Sequence, residues 1–162
     1  MYKPSTYYDY DLFIFTSTVK IHIATGGAEI PWSLINLTKN NPAIYEFYSK
    51  FENEEIEVNS NLQDIVYRRQ FELNRDFSVE NYLRSFEKFA RYGFYSFDKT
   101  NISNTKDASY HLVAYPKNQN FEKVSQFIET QENQKILGRR HFMDPLIKEI
   151  ASLNFQPIQL MY

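Results

Sequence analysis

The sequence predicts an α+β fold, built as a single domain over residues 1–162. We expect a mainly antiparallel sheet of about four to five strands, packed on one face by about four to five amphipathic helices. The chain of 162 residues suits one core. Segments of high β-propensity follow one another near the N-terminus and again after residue 93, whereas helical periodicity dominates the middle. A strict strand–helix alternation, which would favour a parallel sheet, is missing.

Two strands are predicted near the N-terminus, from Leu12 to Phe15 and from Val19 to Thr25. Both contain mainly β-branched and aromatic residues, and the second alternates apolar with polar side chains. The pair Gly26-Gly27 ends it. The first ten residues are rich in tyrosine, and we expect them to form a flexible arm.

Three helices are predicted in the middle of the chain. The first starts at the cap-plus-proline pair Asn41-Pro42 and reaches Phe51, and the second runs from about Asn61 to Leu73. The third is capped by Ser78 and ended by Gly93. Its apolar stripe comprises Val79, Tyr82, Leu83, Phe86, Phe89 and Ala90. A charged loop is expected at the acidic stretch Glu52 to Glu57.

A long β-hairpin is predicted next, with strands Phe94 to Asp98 and Tyr110 to Tyr115 joined by the polar connector Lys99 to Ser109. Further helices are expected from Phe121 to about Leu137 and from the cap-plus-proline pair Asp144-Pro145 onward. The tail from Phe155 alternates, and Pro157 restricts it to an edge strand.

Composition narrows the function classes. A net charge of −2 argues against nucleic acid, because it supplies no general attraction to phosphate backbones. The chain has no Cys, so thiolate catalysis and Cys-based zinc sites are excluded. The N-terminal residues lack the apolar stretch of a signal peptide, and no run is long enough to span a membrane. We therefore expect a cytoplasmic protein that does not act at membranes.

The end of the second strand is the first candidate for chemistry. The backbone of Gly26 and Gly27 carries no side chain and, with the Thr25 hydroxyl, could approach a ligand closely. No phosphate-loop motif follows these residues, and a simple turn explains the glycine pair equally well. His22 lies on the same strand. His111 lies on a later one, and if the two strands are neighbours their imidazoles share a sheet face and suit acid–base work. Surface or structural histidines are the alternative.

The end of the third predicted strand is the second candidate. Tyr95 offers a stacking surface and Asp98 a hydroxyl acceptor, while Thr100 and Asn101 follow in a loop. The same residues also suit an ordinary turn. Histidine spacing predicts no metal site, and no cofactor is predicted. The candidate catalytic residues are thus His22, Tyr95, Asp98 and His111, and the candidate ligand-binding residues are Thr25, Gly26, Gly27, Thr100 and Asn101.

Two functions remain open. The excess of aromatic residues, 17% of the chain, without a complete catalytic motif favours a non-catalytic binding protein that contacts a protein partner or itself. An open sheet face carrying Lys20, His22 and, depending on register, Tyr95 or Ser96, His111 and Tyr115 would provide its surface. The alternative is a small enzyme or sensor for a nucleotide-like ligand, acting by group transfer or hydrolysis at the two strand ends.

Overall fold

A mixed sheet of six strands lies at the centre of the structure. The computed structural model of the protein describes residues 9–15, 19–29, 55–117 and 140–160. Its strands are β1 Asp11–Phe15, β2 Lys20–Ala24, β3 Ile56–Val58, β4 Phe94–Lys99, β5 Ser109–Pro116 and β6 Ile158–Gln159. The strand pairs predicted near the N-terminus and after residue 93 therefore form, with boundaries shifted by one residue or two.

The strands lie in the order β1-β2-β4-β5, and both β3 and β6 pair with the far side of β5. Four pairings are antiparallel: β1 with β2, β3 with β5, β4 with β5, and β5 with β6. However, β2 and β4 are parallel neighbours. The α+β class is confirmed, whereas the mainly antiparallel sheet is confirmed only in part. Sequence adjacency could not show this pairing, because the chain passes through β3 and two helices before β4 returns beside β2.

Three α-helices occur among the described residues, fewer than predicted. They are α1 Arg68–Leu73, α2 Val79–Arg91 and α3 Arg140–Ser152, and a π-helical turn, Gln63–Tyr67, leads into α1. The helices predicted at 42–51 and 121–137 lie outside the described residues. None of the described helices is long and apolar enough to cross a membrane.

Helix α2 forms where its sequence signals place it. The Ser78 hydroxyl accepts a hydrogen bond from the Asn81 N–H at 3.2 Å, which satisfies one of the free donors of the first turn. At the other end Gly93 has a φ of +93°, the left-handed conformation that glycine adopts most readily after a helix. The stripe residues Phe86, Phe89 and Ala90 are buried. The predicted helix is thus confirmed at both ends.

Helices cover both faces of the sheet, so the prediction of a single covered face is wrong. On one face, Phe86 and Ala90 of α2 pack with Val113 and Ala114 of β5. On the other, α3 residues join strand side chains in a second cluster that contains Leu146, Ile147, Ile150, Ile21, Ile23, Phe97 and Leu112. The error arose because the polar residues of β2 and β5 suggested a solvated face, whereas their side chains are buried.

The start predicted for α3 is also wrong. The helix begins at Arg140, and Pro145 lies inside it. Proline lacks an N–H and costs an internal helix one hydrogen bond. Burial of Leu146, Ile147 and Ile150 against the sheet offsets that loss, since tertiary packing commonly overrides local signals.

Two short strands complete the far side of β5. The acidic stretch predicted as a loop supplies β3, whose Ile56 and Val58 pack against the α2 side of the sheet. The tail supplies β6, which pairs with Ser109 and Tyr110 directly after Pro157. The predicted strand in the tail is therefore confirmed.

Candidate functional site

A row of residues crosses four strands where the carboxyl ends of β2 and β4 meet. Asp11 lies opposite Ala24, Ala24 lies opposite Asp98, and Asp98 lies opposite His111. All four are on the face that α2 covers. Ligands of sheets with parallel strands commonly bind outside the carboxyl ends of those strands, so this end of the sheet is where the structure places a candidate site.

Four side chains at this end form one hydrogen-bonded series, which we call the Asp98 network: Asp98, Tyr82, His111 and Thr100. The Tyr82 hydroxyl donates to Asp98 Oδ2 at 2.8 Å. The same hydroxyl oxygen lies 3.0 Å from His111 Nε2, and His111 Nδ1 lies 2.9 Å from the Thr100 hydroxyl. The network thereby joins helix α2, strands β4 and β5 and the loop after β4. His111 makes two of its three hydrogen bonds.

The direction of each bond in the Asp98 network follows from its chemistry. Tyr82 has one hydroxyl proton, and because it is donated to Asp98, the tyrosine oxygen must accept from His111 Nε2–H. A neutral imidazole carries one proton, so Nδ1 is bare and accepts from the Thr100 hydroxyl. Every donor in the network therefore points towards Asp98.

Burial sets the charge states of the network. Desolvation raises the pKa of Asp98 to about 7, against the lowering effect of its hydrogen bonds from Tyr82 and from the Lys99 backbone N–H. It lowers the pKa of His111 to about 3, with the nearby Arg69 guanidinium acting in the same direction. It also raises the pKa of Tyr82 well above its usual value. Asp98 is therefore the member whose charge changes near neutral pH.

A second series, the His22 network, lies beside the first on the same face. His22 Nδ1 lies 2.6 Å from the Ser96 hydroxyl, and His22 Nε2 lies 2.7 Å from Asp11 Oδ1. The Phe89 ring centroid is 4.2 Å from that of the imidazole. Desolvation lowers the pKa of His22 despite the neighbouring Asp11 carboxylate. Neutral His22 therefore donates to Asp11 and accepts from Ser96.

The His22 network contains the residue types of a serine–histidine–carboxylate triad, but its placement is structural. Ser96 and His22 are buried in the middle of the sheet, while Asp11 is 56% exposed. A nucleophilic serine must reach its substrate, and Ser96 has no exposed surface at all. The network instead ties β1, β2 and β4 together beneath α2.

The glycine pair after β2 is held by the residues that precede β1. The Thr25 hydroxyl accepts from the Tyr10 N–H at 2.8 Å, and Asp9 Oδ1 accepts from the Gly26 N–H at 2.9 Å. Both glycines have positive φ, 54° for Gly26 and 76° for Gly27. The Thr25 hydroxyl and the Gly26 N–H, which were predicted to contact a ligand, are therefore engaged in closing this turn.

The residues predicted after β4 are separated by the structure. Thr100 belongs to the Asp98 network, whereas the Asn101 amide donates to Asp107 Oδ2 at 3.2 Å and so braces its own loop. Tyr95 lies on the opposite face of the sheet, buried and stacked on Tyr115 with ring centroids 6.3 Å apart. The open face of tyrosine and histidine expected from the sequence does not exist, since α2 and α3 cover the two faces.

Three members of these networks, Tyr82, Asp11 and Ser96, were not among the candidate site residues predicted from the sequence. Tyr82 was assigned to the apolar stripe of α2, although a buried tyrosine hydroxyl usually needs a partner, which is the signal that could have identified it. Asp11 directly precedes the predicted first strand and was given no role. Its contact with His22 depends on the antiparallel register of β1 and β2, which places Asp11 close to His22 on one face.

Within the described ranges, no group of three or more His, Cys, Asp or Glu side chains is arranged to hold a metal ion. The Asp98 network itself offers a titratable carboxyl group and a series of hydrogen bonds. Comparison of the chain with protein-family models, with curated proteins and with solved structures gives no match.

Proposed function

We propose that the protein is a small enzyme for a nucleotide-like ligand and that the Asp98 network is its acid–base site. The observation that supports this proposal is the Tyr82 hydroxyl between Asp98 and His111, at 2.8 and 3.0 Å, beside the carboxyl ends of β2 and β4. A carboxyl group with a pKa of about 7 suits general acid–base catalysis, because both of its forms are populated near neutral pH.

Asp98 has a defined task in such a reaction. As a carboxylate it accepts the proton of an attacking water or hydroxyl group while the new bond to the transferred group forms. As a carboxylic acid it returns that proton to the leaving oxygen when the old bond breaks. Tyr82 and His111 are neutral before and after each step. Tyr82 orients the carboxyl group by donating to it, and His111 donates in turn to the Tyr82 oxygen.

The charges around Asp98 favour the sugar end of such a ligand over its phosphate. Asp9 and Asp11 are both near enough to raise the pKa of Asp98 further. Carboxylates accept hydrogen bonds from sugar hydroxyls but repel phosphate oxygens. Arg69 is a cation beside the network, but its guanidinium donates to the Thr100 carbonyl. Nucleosides are therefore expected to bind at least as well as their monophosphates.

A thermal-shift screen of nucleosides and nucleotides tests the proposal. A ligand present at about 100 times its Kd stabilises a protein by about 2.7 kcal/mol. For a chain of this size that corresponds to a rise in Tm of roughly 5–10 °C. We expect such a rise with at least one nucleoside, and we expect Asp98→Asn to reduce it.

The matched control is Asp64→Asn, which removes an exposed carboxylate that is paired with Arg68 at 2.8 Å. This variant should keep the ligand response of the wild type. Absence of any response across the screen, or an undiminished response in Asp98→Asn, would refute the acid–base site.

A second candidate, contact with a protein partner or with a second copy of the chain, has one observation in its favour. Phe71, Leu73 and Ile102 are large apolar side chains that are 44%, 73% and 53% exposed. Contiguous exposed apolar patches often mark contact surfaces. Unlike the predicted sheet face, these side chains lie on α1 and on the loop after β4, two elements that are linked by the hydrogen bond from Arg69 to the Thr100 carbonyl.

Light scattering coupled to size exclusion tests this candidate, with Leu73→Asp as the variant. Self-association through α1 predicts a dimer that Leu73→Asp converts to a monomer. A wild-type monomer, together with no partner recovered from the native host, would exclude it.

A cytoplasmic location also remains a prediction, and cell fractionation tests it.

A further inference from the structure

The Asp98 network is polarised along its whole length. Thr100 donates to His111, His111 donates to Tyr82, and Tyr82 donates to Asp98, over distances of 2.9, 3.0 and 2.8 Å. Thr100 is partly exposed, in the loop that follows β4, while His111 is buried. The network thus connects a hydroxyl group near solvent with the carboxyl group at the end of β4, through a histidine that solvent does not reach.

We propose that this network is a proton relay that recharges Asp98 from Thr100, with His111 changing from its Nε2–H tautomer to its Nδ1–H tautomer at each passage. The catalytic use of the relay rests on the proposed function. The tautomer change does not depend on the proposed function, because it follows from hydrogen bonds that exist without any ligand.

The proton transfers balance along the network. The Tyr82 proton moves to Asp98, the Nε2 proton of His111 moves to Tyr82, and the Thr100 proton moves to Nδ1. Water then gives one proton to the Thr100 oxygen. Asp98 gains one proton in total and water loses one, while His111 and Tyr82 are neutral before and after.

The direction of every bond is reversed after this passage. Protonated Asp98 donates to the Tyr82 oxygen, Tyr82 donates to Nε2, and Nδ1–H donates to Thr100. Each buried group therefore keeps a hydrogen-bond partner in both states. Neither state pays the free-energy cost of a buried polar atom without a partner. The tautomer of His111 thus reports the protonation state of Asp98.

Charged and titratable groups surround the relay from every neighbouring element. Asp9, just before β1, and Asp11, the first residue of β1, both act on Asp98 and favour its protonated form. Arg69 of α1 faces His111 and disfavours an imidazolium ion. Tyr67 acts on Tyr82 from the π-helical turn. Burial of His111, with Arg69 acting in the same direction, keeps the histidine neutral, so that it moves protons by changing tautomer and not by becoming charged.

NMR of protein labelled with ¹⁵N in histidine tests the relay, since a protonated and a bare ring nitrogen have different shifts. The free protein is titrated from about two pH units below the Asp98 midpoint to about two above, a range that covers both charge states. Titration of the Asp98 carboxyl carbon is followed in parallel. We expect His111 to change from Nδ1–H at low pH to Nε2–H at high pH, with the midpoint of Asp98.

Two variants and a control complete this test. Tyr82→Phe breaks the link and should abolish the change of tautomer, while Asp98→Asn removes the titration and should leave one tautomer throughout. Tyr115→Phe is the control, because its hydroxyl donates to Glu57 of β3 and lies on the opposite face of the sheet, outside the relay. One His111 tautomer on both sides of the Asp98 midpoint would overturn the relay, as would an unaltered change in Tyr82→Phe. A tautomer change that follows Asp98 at an acidic midpoint would support the relay and count against the proposed enzyme.

Discussion

Tyr82 in α2 and Asp98 in β4 are joined by a hydrogen bond of 2.8 Å that anchors the early part of the helix to the end of the strand. The bond places a tyrosine hydroxyl between a carboxyl group and a histidine nitrogen. It also lowers the pKa of Asp98, in opposition to the larger effect of burial. Packing of the helix and chemistry at the strand end thus depend on the same side chain.

Removal of the Tyr82 hydroxyl should destabilise the protein. In Tyr82→Phe the His111 Nε2–H loses its acceptor, and leaving a buried polar group unsatisfied costs about 1–3 kcal/mol. Urea unfolding of the variant and the wild type measures this loss. Tyr67→Phe should change the free energy of unfolding by less, because its hydroxyl bonds to no described residue, and equal losses in the two variants would contradict the network.

Removal of the Ser96 hydroxyl should have a comparable effect through His22. Ser96→Ala leaves the buried Nδ1 of His22 without its donor at 2.6 Å, so we expect a loss of about 1–3 kcal/mol in urea unfolding. Ser109→Ala provides a control on β5, because the Ser109 hydroxyl makes no hydrogen bond to another described residue. A loss as large in Ser109→Ala would show that strand packing, and not the bond to His22, determines the result.

The pH dependence of stability should separate Asp98 from the histidines. The folded-state pKa of Asp98 is raised to about 7, so the native protein binds the extra proton and the contribution of Asp98 to stability falls as pH rises from about 4 to 7. The folded-state pKa of His111 is lowered to about 3 and that of His22 is lowered as well. The unfolded chain then binds the extra protons, and the histidine contributions are lost as pH falls below about 6.5.

These opposite slopes partly cancel in the wild type. Asp98→Asn removes the contribution of Asp98, which falls as pH rises. The free energy of unfolding of this variant should therefore rise more steeply with pH than that of the wild type, by up to about 1.4 kcal/mol per pH unit between about pH 4 and 6.5. Urea unfolding at several pH values measures both slopes. The exposed variant Asp64→Asn should keep the wild-type slope. A slope in Asp98→Asn equal to that of the wild type would mean that Asp98 titrates normally.

The two glycines after β2 should differ in their tolerance of alanine. Both have positive φ, which costs a residue with a Cβ roughly 1–2 kcal/mol. A Cβ at Gly26 would also lie 3.2 Å from Lys99 Cβ, whereas one at Gly27 would have no neighbour within 4 Å. Gly26→Ala should therefore lower the free energy of unfolding more than Gly27→Ala does, and the reverse order would contradict the packing of this turn.

Local signals predicted the elements that depend on local chemistry. The Ser78 cap and the left-handed Gly93 bound α2 as expected, and the alternating apolar residues of β2 lie in the sheet. The pairing of β2 with β4 could not be predicted, because it joins residues far apart in sequence through backbone hydrogen bonds that any side chain permits. The burial of both sheet faces depends on that pairing and on the distant helix α3.

The candidate site was predicted in its residue types and only partly in its arrangement. Asp98, Thr100 and His111 come together as expected, but Tyr95 is turned away because alternate residues of β4 face opposite sides. Tyr82 takes part instead, since α2 packs on the face that carries Asp98. No pattern within α2 identifies that face, which is determined by the order of the strands.

Titration of the Asp98 carboxyl carbon by ¹³C NMR in the free protein tests the central claim most directly. Burial of this side chain beside Asp9 and Asp11 predicts a midpoint at about 7, accompanied by a shift of the Tyr82 ring signals. A midpoint near the ordinary aspartate value of about 4, with Tyr82 unaffected, would show that Asp98 is an ordinary carboxylate and would contradict its role as the acid–base group.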